Sequence, residues 1–274
     1  MKGLGNSSFQ NKELTKSTMN SFYFDDPKES IEREFKNVRL KYFYFDSELK
    51  LKTKNKEVLN GSLLEGNAIL AYNNAKFDLN QFDIFFIPPE KEFRIKPKNK
   101  NKNKICLVFS LSVKDIDAKF EIQRFNLEKF IPRGELGSEH KMATYRTVWT
   151  AIKNGFFMSG FTNIPNESMK KGVVTSINLE ENEIFSHIHP DFPEVYIYCI
   201  DDKHYAVTQY LINSKGQSVC KDLTDGEGVF FPGNLGHINF SKPYYKTLNY
   251  CLYLWIIPTF GKEDDIKPIT LRIS

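Results

Sequence analysis

The stretch HIHPDFPEVYIYCI, residues 187–200, decides how the rest of this chain is read. An extended strand returns side chains to the same face every second residue, which puts His187 and His189 on one face. Pro190 and Pro193 bracket a turn, Pro190-Asp191-Phe192-Pro193, that ends the strand, since proline cannot donate to a ladder. The next strand opens at Glu194. Glu194, Tyr196 and Tyr198 share a polar and aromatic face, and Val195, Ile197 and Cys199 share an apolar one. A third histidine, His237, follows the Pro232-Gly233 turn in GEGVFFPGNLGHINF, residues 226–240. Three imidazoles and a carboxylate can hold a divalent cation and leave one position for substrate. The imidazoles bind as neutral ligands, and Glu194 offsets part of the cation's charge. His187, His189, Glu194 and His237 are therefore the expected metal ligands, while His140 and His204 read as structural or exposed.

Outward from this stretch the text is that of strands. VRLKYFYF (38–45), NAILAYN (67–73), FDIFFIP (82–88) and ICLVFSLSV (105–113) are rich in β-branched and aromatic residues, with Gly, Asn and Pro clusters between them. A connector over 119–172 contains IPRGELG, a short helix expected near TVWTAI, and the strand-like GFFMSGF. Strands resume at GVVTSINL (172–179), EVYIYCI (194–200), YAVTQYLI (205–212), GVFFPG (228–233) and YCLYLWIIP (250–258). Short strands at such spacing build a sandwich or barrel. Phe85-Phe86-Ile87-Pro88-Pro89 echoes Val229-Phe230-Phe231-Pro232-Gly233, as in a duplicated fold. All five histidines lie after residue 139, so only the second half can build a histidine metal site. The expected organisation is a polar tail over 1–20, a first barrel without metal ligands over 21–130, and a metal-binding barrel over 131–274.

Bulk properties narrow the function classes. Among 274 residues, 24 Phe and 13 Tyr lean toward strands. A net charge of +4 from 38 basic and 34 acidic residues is too even to point to nucleic acid. The densest basic run, KPKNKNKNK at 96–104, reads as a solvated turn. Cys106, Cys199, Cys220 and Cys251 form no CxxC pair. No apolar leader opens the chain and no run reaches the ~20 apolar residues of a membrane span, so a cytoplasmic protein with reduced thiols and no membrane partner is the expectation.

These residues resemble the cupin superfamily. Its first motif, HxH-x(3–4)-E, is matched by His187, His189 and Glu194, and its second, G-x5-P-x-G-x2-H, by Gly226, Pro232 and His237. The match departs at the flanking glycines of the first motif, which fall on Glu181 and Asp201, and at the glycine after Pro232, which is displaced to Gly233. HxHxxxxEVYxY, with the TYRTVWTAI segment (144–152) ahead of it, further resembles the 5-keto-4-deoxyuronate isomerases; the related 5-deoxyglucuronate isomerases share the fold and ligand set. The resemblance implies an all-β bicupin, two tandem cupin-type barrels (double-stranded β-helices) with few short helices. It implies a homo-oligomer with Zn2+, or alternatively Mn2+ or Fe2+, in the second barrel, isomerising a uronate-derived sugar acid of pectin breakdown. Such a reaction needs a base, for which a hydroxide on the cation, Tyr196, Tyr198 and Asp191 are the candidates, and a cation for the substrate carboxylate, for which Arg146 and Arg133 are. Isomerisation in inositol catabolism, an Fe(II) dioxygenase and a non-catalytic sugar-binding bicupin are the alternatives.

Overall fold

The computed structural model describes residues 21–22, 30–35, 37–100, 103–112, 117–129, 131–133, 146–153, 155–164, 166–171, 177–178, 183–189, 191–213, 215–262 and 269–272. The elements run β1 (Ser21–Phe22), β2 (Ser30–Phe35), β3 (Val38–Phe45), β4 (Leu49–Lys52), β5 (Glu57–Glu65), β6 (Ala68–Tyr72), β7 (Ala75–Leu79), β8 (Ile84–Ile87), β9 (Glu92–Pro97), β10 (Asn103–Leu111) and β11 (Glu121–Gln123). They continue with β12 (Ile131–Arg133), β13 (Arg146–Lys153), β14 (Phe157–Asn163), the short helix α1 (Asn166–Lys171), β15 (Ile177–Asn178), β16 (Glu183–Ile188), β17 (Glu194–Ile200) and β18 (Val207–Ile212). The last are β19 (Ser218–Leu223), β20 (Gly228–Phe231), β21 (Gly236–Ser241), β22 (Cys251–Pro258) and β23 (Ile269–Arg272).

Four antiparallel sheets pair into two barrels, and the strand order repeats. The first barrel joins β11-β8-β5-β10-β3-β2 to β4-β9-β6-β7; the second joins β1-β20-β17-β22-β14-β13-β12 to β15-β16-β21-β18-β19. Strand for strand, β8-β5-β10-β3-β2 corresponds to β20-β17-β22-β14-β13, and β4-β9-β6-β7 to β16-β21-β18-β19. The duplication echoed in the two Pro turns is thus a duplication of topology. β1 crosses over: it precedes the first barrel in sequence but pairs with β20 of the second.

Burial explains the strand texts. Over Val38–Phe43, β3 alternates buried and half-buried positions because Val38, Leu40 and Tyr42 face the layer between the barrels and the other face is partly covered. β17 is buried on both faces: Tyr196 and Tyr198 point into the second barrel, while Val195, Ile197 and Cys199 join the apolar layer between the two large sheets. Leu40, Val58 and Val108 of the first barrel meet Phe157, Leu252 and Leu254 of the second in that layer. Tyr42 Oη donates to the Gly226 carbonyl across it at 2.9 Å, and Asn60 Nδ2 to Ser159 Oγ at 2.7 Å.

Two elements differ from the sequence expectation. TVWTAI is not a helix but part of β13, paired on both sides by β12 and β14. Its Thr147, Val148, Thr150 and Ile152 are branched at Cβ and favour extended backbone, and β14 pairs with Thr147–Thr150 while β12 pairs with Thr147 and Val148. EVLNGSLLE carried no strand expectation, yet it forms β5, which is central to its sheet and has all but one of its residues buried. Gly61 explains part of this, since a Cβ there would lie 2.2 Å from the ring of Phe85 on the adjacent strand. Of the expected strand 172–179, only Ile177–Asn178 lies within the described residues.

Candidate metal centre

His189 follows the last residue of β16, Glu194 opens β17 and His237 is second in β21. All three are buried. One donor atom from each falls within 4.8 Å of the other two, and His237 Nε2 is 3.5 Å from Glu194 Oε2. Two ligands of one tetrahedral cation, each about 2.1 Å from it, stand about 3.4 Å apart. The separation and the nitrogen and oxygen donor set fit a divalent ion. The backbone of His187 lies directly opposite His237 in the β16–β21 ladder; its side chain is outside the described residues.

Two turns hold this geometry. Asp191 and Asn234 adopt φ of 63° and 67° in the turns before β17 and β21. Asn234 N donates to the His189 carbonyl at 3.4 Å, Asn234 Nδ2 to Asp191 Oδ1 at 3.1 Å, and Asp191 N to Asn234 Oδ1 at 3.3 Å. A Cβ on Gly233 would sit 2.5 Å from Phe192 N, so the turns meet this closely only with glycine there. The clamp draws the end of β16 against the start of β21 and brings His189 to His237. Asp191 thereby stands exposed at the rim, its carboxylate accepting from Asn234.

Below His189, Glu194 and His237 the barrel interior is polar and aromatic. Tyr196 presents its ring edge-on to His237, centroids 5.8 Å apart, and stacks on Tyr253 at 5.3 Å. Tyr198 Oη donates to Gln209 Oε1 at 2.9 Å and accepts from Asn239 Nδ2 at 3.1 Å, while Gln209 Nε2 donates to the Ile238 carbonyl. Arg133 and Arg146 face each other in the β12–β13 ladder, at the end of the sheet that contains β17; their side chains are outside the described residues. His204 is exposed on a turn, and His140 lies outside the described residues. Sequence reasoning missed Gln209 and the clamp made by Asn234, and gave Gly233 only as part of a turn. The Pro-Gly-Asn text signalled a turn, but not what the turn would press against.

The first barrel supplies an internal comparison. Glu194 pairs with Phe231 as Leu59 pairs with Ile87, and His187 pairs with His237 as Leu51 pairs with Phe93. The candidate positions His187, His189, Glu194 and His237 thus correspond to Leu51, Thr53, Leu59 and Phe93. The positions of Tyr198, Gln209 and Asn239 correspond to Leu63, Leu70 and Ile95, all fully buried. Even the packing is exchanged: Tyr196 opposite Val229 corresponds to Gly61 opposite Phe85, so the large ring comes from β17 in one barrel and from β8 in the other.

No family model matches the sequence, and no curated protein does. Solved structures do match in shape. AerE from Microcystis aeruginosa superposes with a TM-score of 0.58 at 10% identity, covering 88% of this chain and 97% of its own. Lactobacillus farciminis oxalate decarboxylase in its formate complex gives 0.54 at 13%, covering 96% and 90%. The Bacillus subtilis oxalate decarboxylase, a protein with Mn(II) centres, gives 0.52 at 13%, covering 95% and 81%. At these identities the likeness speaks for the fold, an all-β double barrel of the cupin type.

Proposed function

We propose that this chain is a metal-dependent cupin enzyme that isomerises a uronate-derived sugar acid, with its cation on His189, Glu194, His237 and His187. One observation carries the metal reading: among the described residues, buried imidazole and carboxylate donors converge in one of two duplicated barrels, and their counterparts in the other are three apolar residues and a threonine. Buried polar groups cost stability unless they serve a partner, so their retention in one barrel supports a bound ion. The donor set suits Zn2+, Mn2+ and Fe2+ alike, and the Mn(II) centres of the Bacillus subtilis decarboxylase lie in a fold of this kind. A bound divalent ion polarises a substrate carbonyl or hydroxyl and acidifies the adjacent C–H.

The chain's own residues divide the remaining work. Tyr196 packs against a ligand imidazole and is the phenol assigned to proton transfer. Tyr198 is held by Gln209 and Asn239 and shapes the interior, and Asp191 ties the two turns. Arg133 and Arg146, on adjacent strands, supply the positive charge for the substrate carboxylate. The finer substrate assignment follows the resemblance of HIHPDFPEVYIY to the uronate isomerases.

Elemental analysis of purified protein, run beside isomerisation assays on 5-keto-4-deoxyuronate and 5-deoxyglucuronate with oxygen uptake followed, tests the reading. The expected result is about one divalent ion per chain and isomerisation without oxygen consumption, both abolished in His189→Ala while the β-sheet signal persists. Turnover by metal-free protein refutes the metal role, and oxygen uptake favours a dioxygenase.

A further inference from the structure

The outer face of the small sheet of the first barrel carries a line of cations. Ladder register runs Lys50 to Arg94 to Ala71 to Lys76 across β4, β9, β6 and β7. The alternate residues Leu70, Phe93 and Ile95 face the core, so Lys50, Arg94 and Lys76 face solvent, and all three are exposed. Like charges directly opposite each other weaken a sheet. The neighbouring rows avoid this: Lys52 pairs with Glu92 at 3.5 Å and Lys98 with Asp78 at 2.7 Å. Glu92 and Asp78 are thus engaged by lysines outside the middle row, which carries three cations. The methyl of Ala71 leaves an open trough of about 1010 Å³ among the long side chains, lined by five cationic residues against two acidic ones, Glu90 and Glu92, with the amides of Asn73 and Asn74 at one end.

We infer that this trough binds a linear acidic polysaccharide with one carboxylate per sugar, laid across the strands. Strands lie about 4.8 Å apart, so the row spans about 14 Å, several sugars of an extended chain. Cations and amides match carboxylates and hydroxyls. Single-stranded nucleic acid calls for exposed rings on which bases stack, but the rings lining this trough, Tyr72 and Phe93, are 8% and 2% exposed. A membrane surface calls for apolar side chains to insert, and the exposed large apolar residues among those described, Leu111, Leu127 and Tyr245, do not line it. The inference stands on the first barrel and is independent of the cation in the second.

Fluorescence anisotropy at low salt with a labelled galacturonate oligomer tests it, with an oligothymidylate and phosphatidylserine vesicles as competitors. The full-length protein is expected to bind the oligouronate, with affinity falling as salt rises. A Lys50→Glu, Arg94→Glu, Lys76→Glu variant should bind at least about tenfold more weakly, whereas Lys203→Glu, on an exposed turn of the second barrel, binds normally. Chelator-treated protein should bind as well as untreated protein, whatever becomes of its activity. No binding at low salt, equal binding by the triple variant, loss on chelation, or equal competition by the oligonucleotide or the vesicles would each overturn the proposal.

Discussion

Tyr198 shows what a single phenol does in the second barrel. It is fully buried, donates to Gln209 and accepts from Asn239, and it occupies the position that Leu63 holds in the first barrel. Tyr198→Phe removes one hydroxyl and leaves amide groups of both partners without it, so the chain should lose about 1–3 kcal/mol of stability in a denaturant titration while bound metal stays unchanged. At this scale much was legible. The residue types that meet at His189, Glu194 and His237, and the strand face of Glu194, follow from spacing. Gln209 was not legible, because a lone glutamine in an apolar strand carries no local mark of a partner on another strand.

Between elements, the decisive feature is the clamp of the β16–β17 turn on the β20–β21 turn. Gly233→Ala places a methyl against the backbone of Phe192, which cannot yield as a flexible side chain would. The turns must part, and His189 withdraws from His237. A loss of about 10–100-fold in metal affinity is expected, measured by chelator competition, with the thermal midpoint little changed. Asn234→Ala removes only the side-chain half of the clamp and should cost less. The strands themselves were legible where β-branched and aromatic residues alternate. They were misread at TVWTAI, where a six-residue window cannot tell a helix turn from a strand with partners on both sides, and overlooked at β5, whose polar letters face a buried inter-barrel layer.

For the whole molecule, buried thiols, Cys106 and Cys199 in the layer between the barrels and Cys251 inside the second barrel, couple stability to alkaline pH. Burial pushes the Cys251 thiol up to about 12 from an ordinary 9.0, and Cys106 and Cys199 are likewise raised, first by burial. The folded state thus favours neutral thiols that the unfolded chain releases at ordinary pH. Their contribution is complete below about pH 9 and is lost as pH climbs toward about 12, at up to about 1.4 kcal/mol per pH unit for each group. Denaturant midpoints followed upward from roughly pH 8 should fall accordingly, and Cys251→Ala should make that fall shallower.

The strand periods, and the half of the chain able to own a histidine site, were legible in the sequence because alternation, turn chemistry and residue type are local properties, and the two-barrel plan was legible through the cupin resemblance. The tertiary structure alone decided that His187 stands opposite His237, that Gly233 lets two turns meet, and that Lys50, Arg94 and Lys76 form one row. Those facts depend on the register between strands far apart in sequence. A shift of one residue would turn every such side chain to the other face, and only packing of the complete barrels selects among the registers.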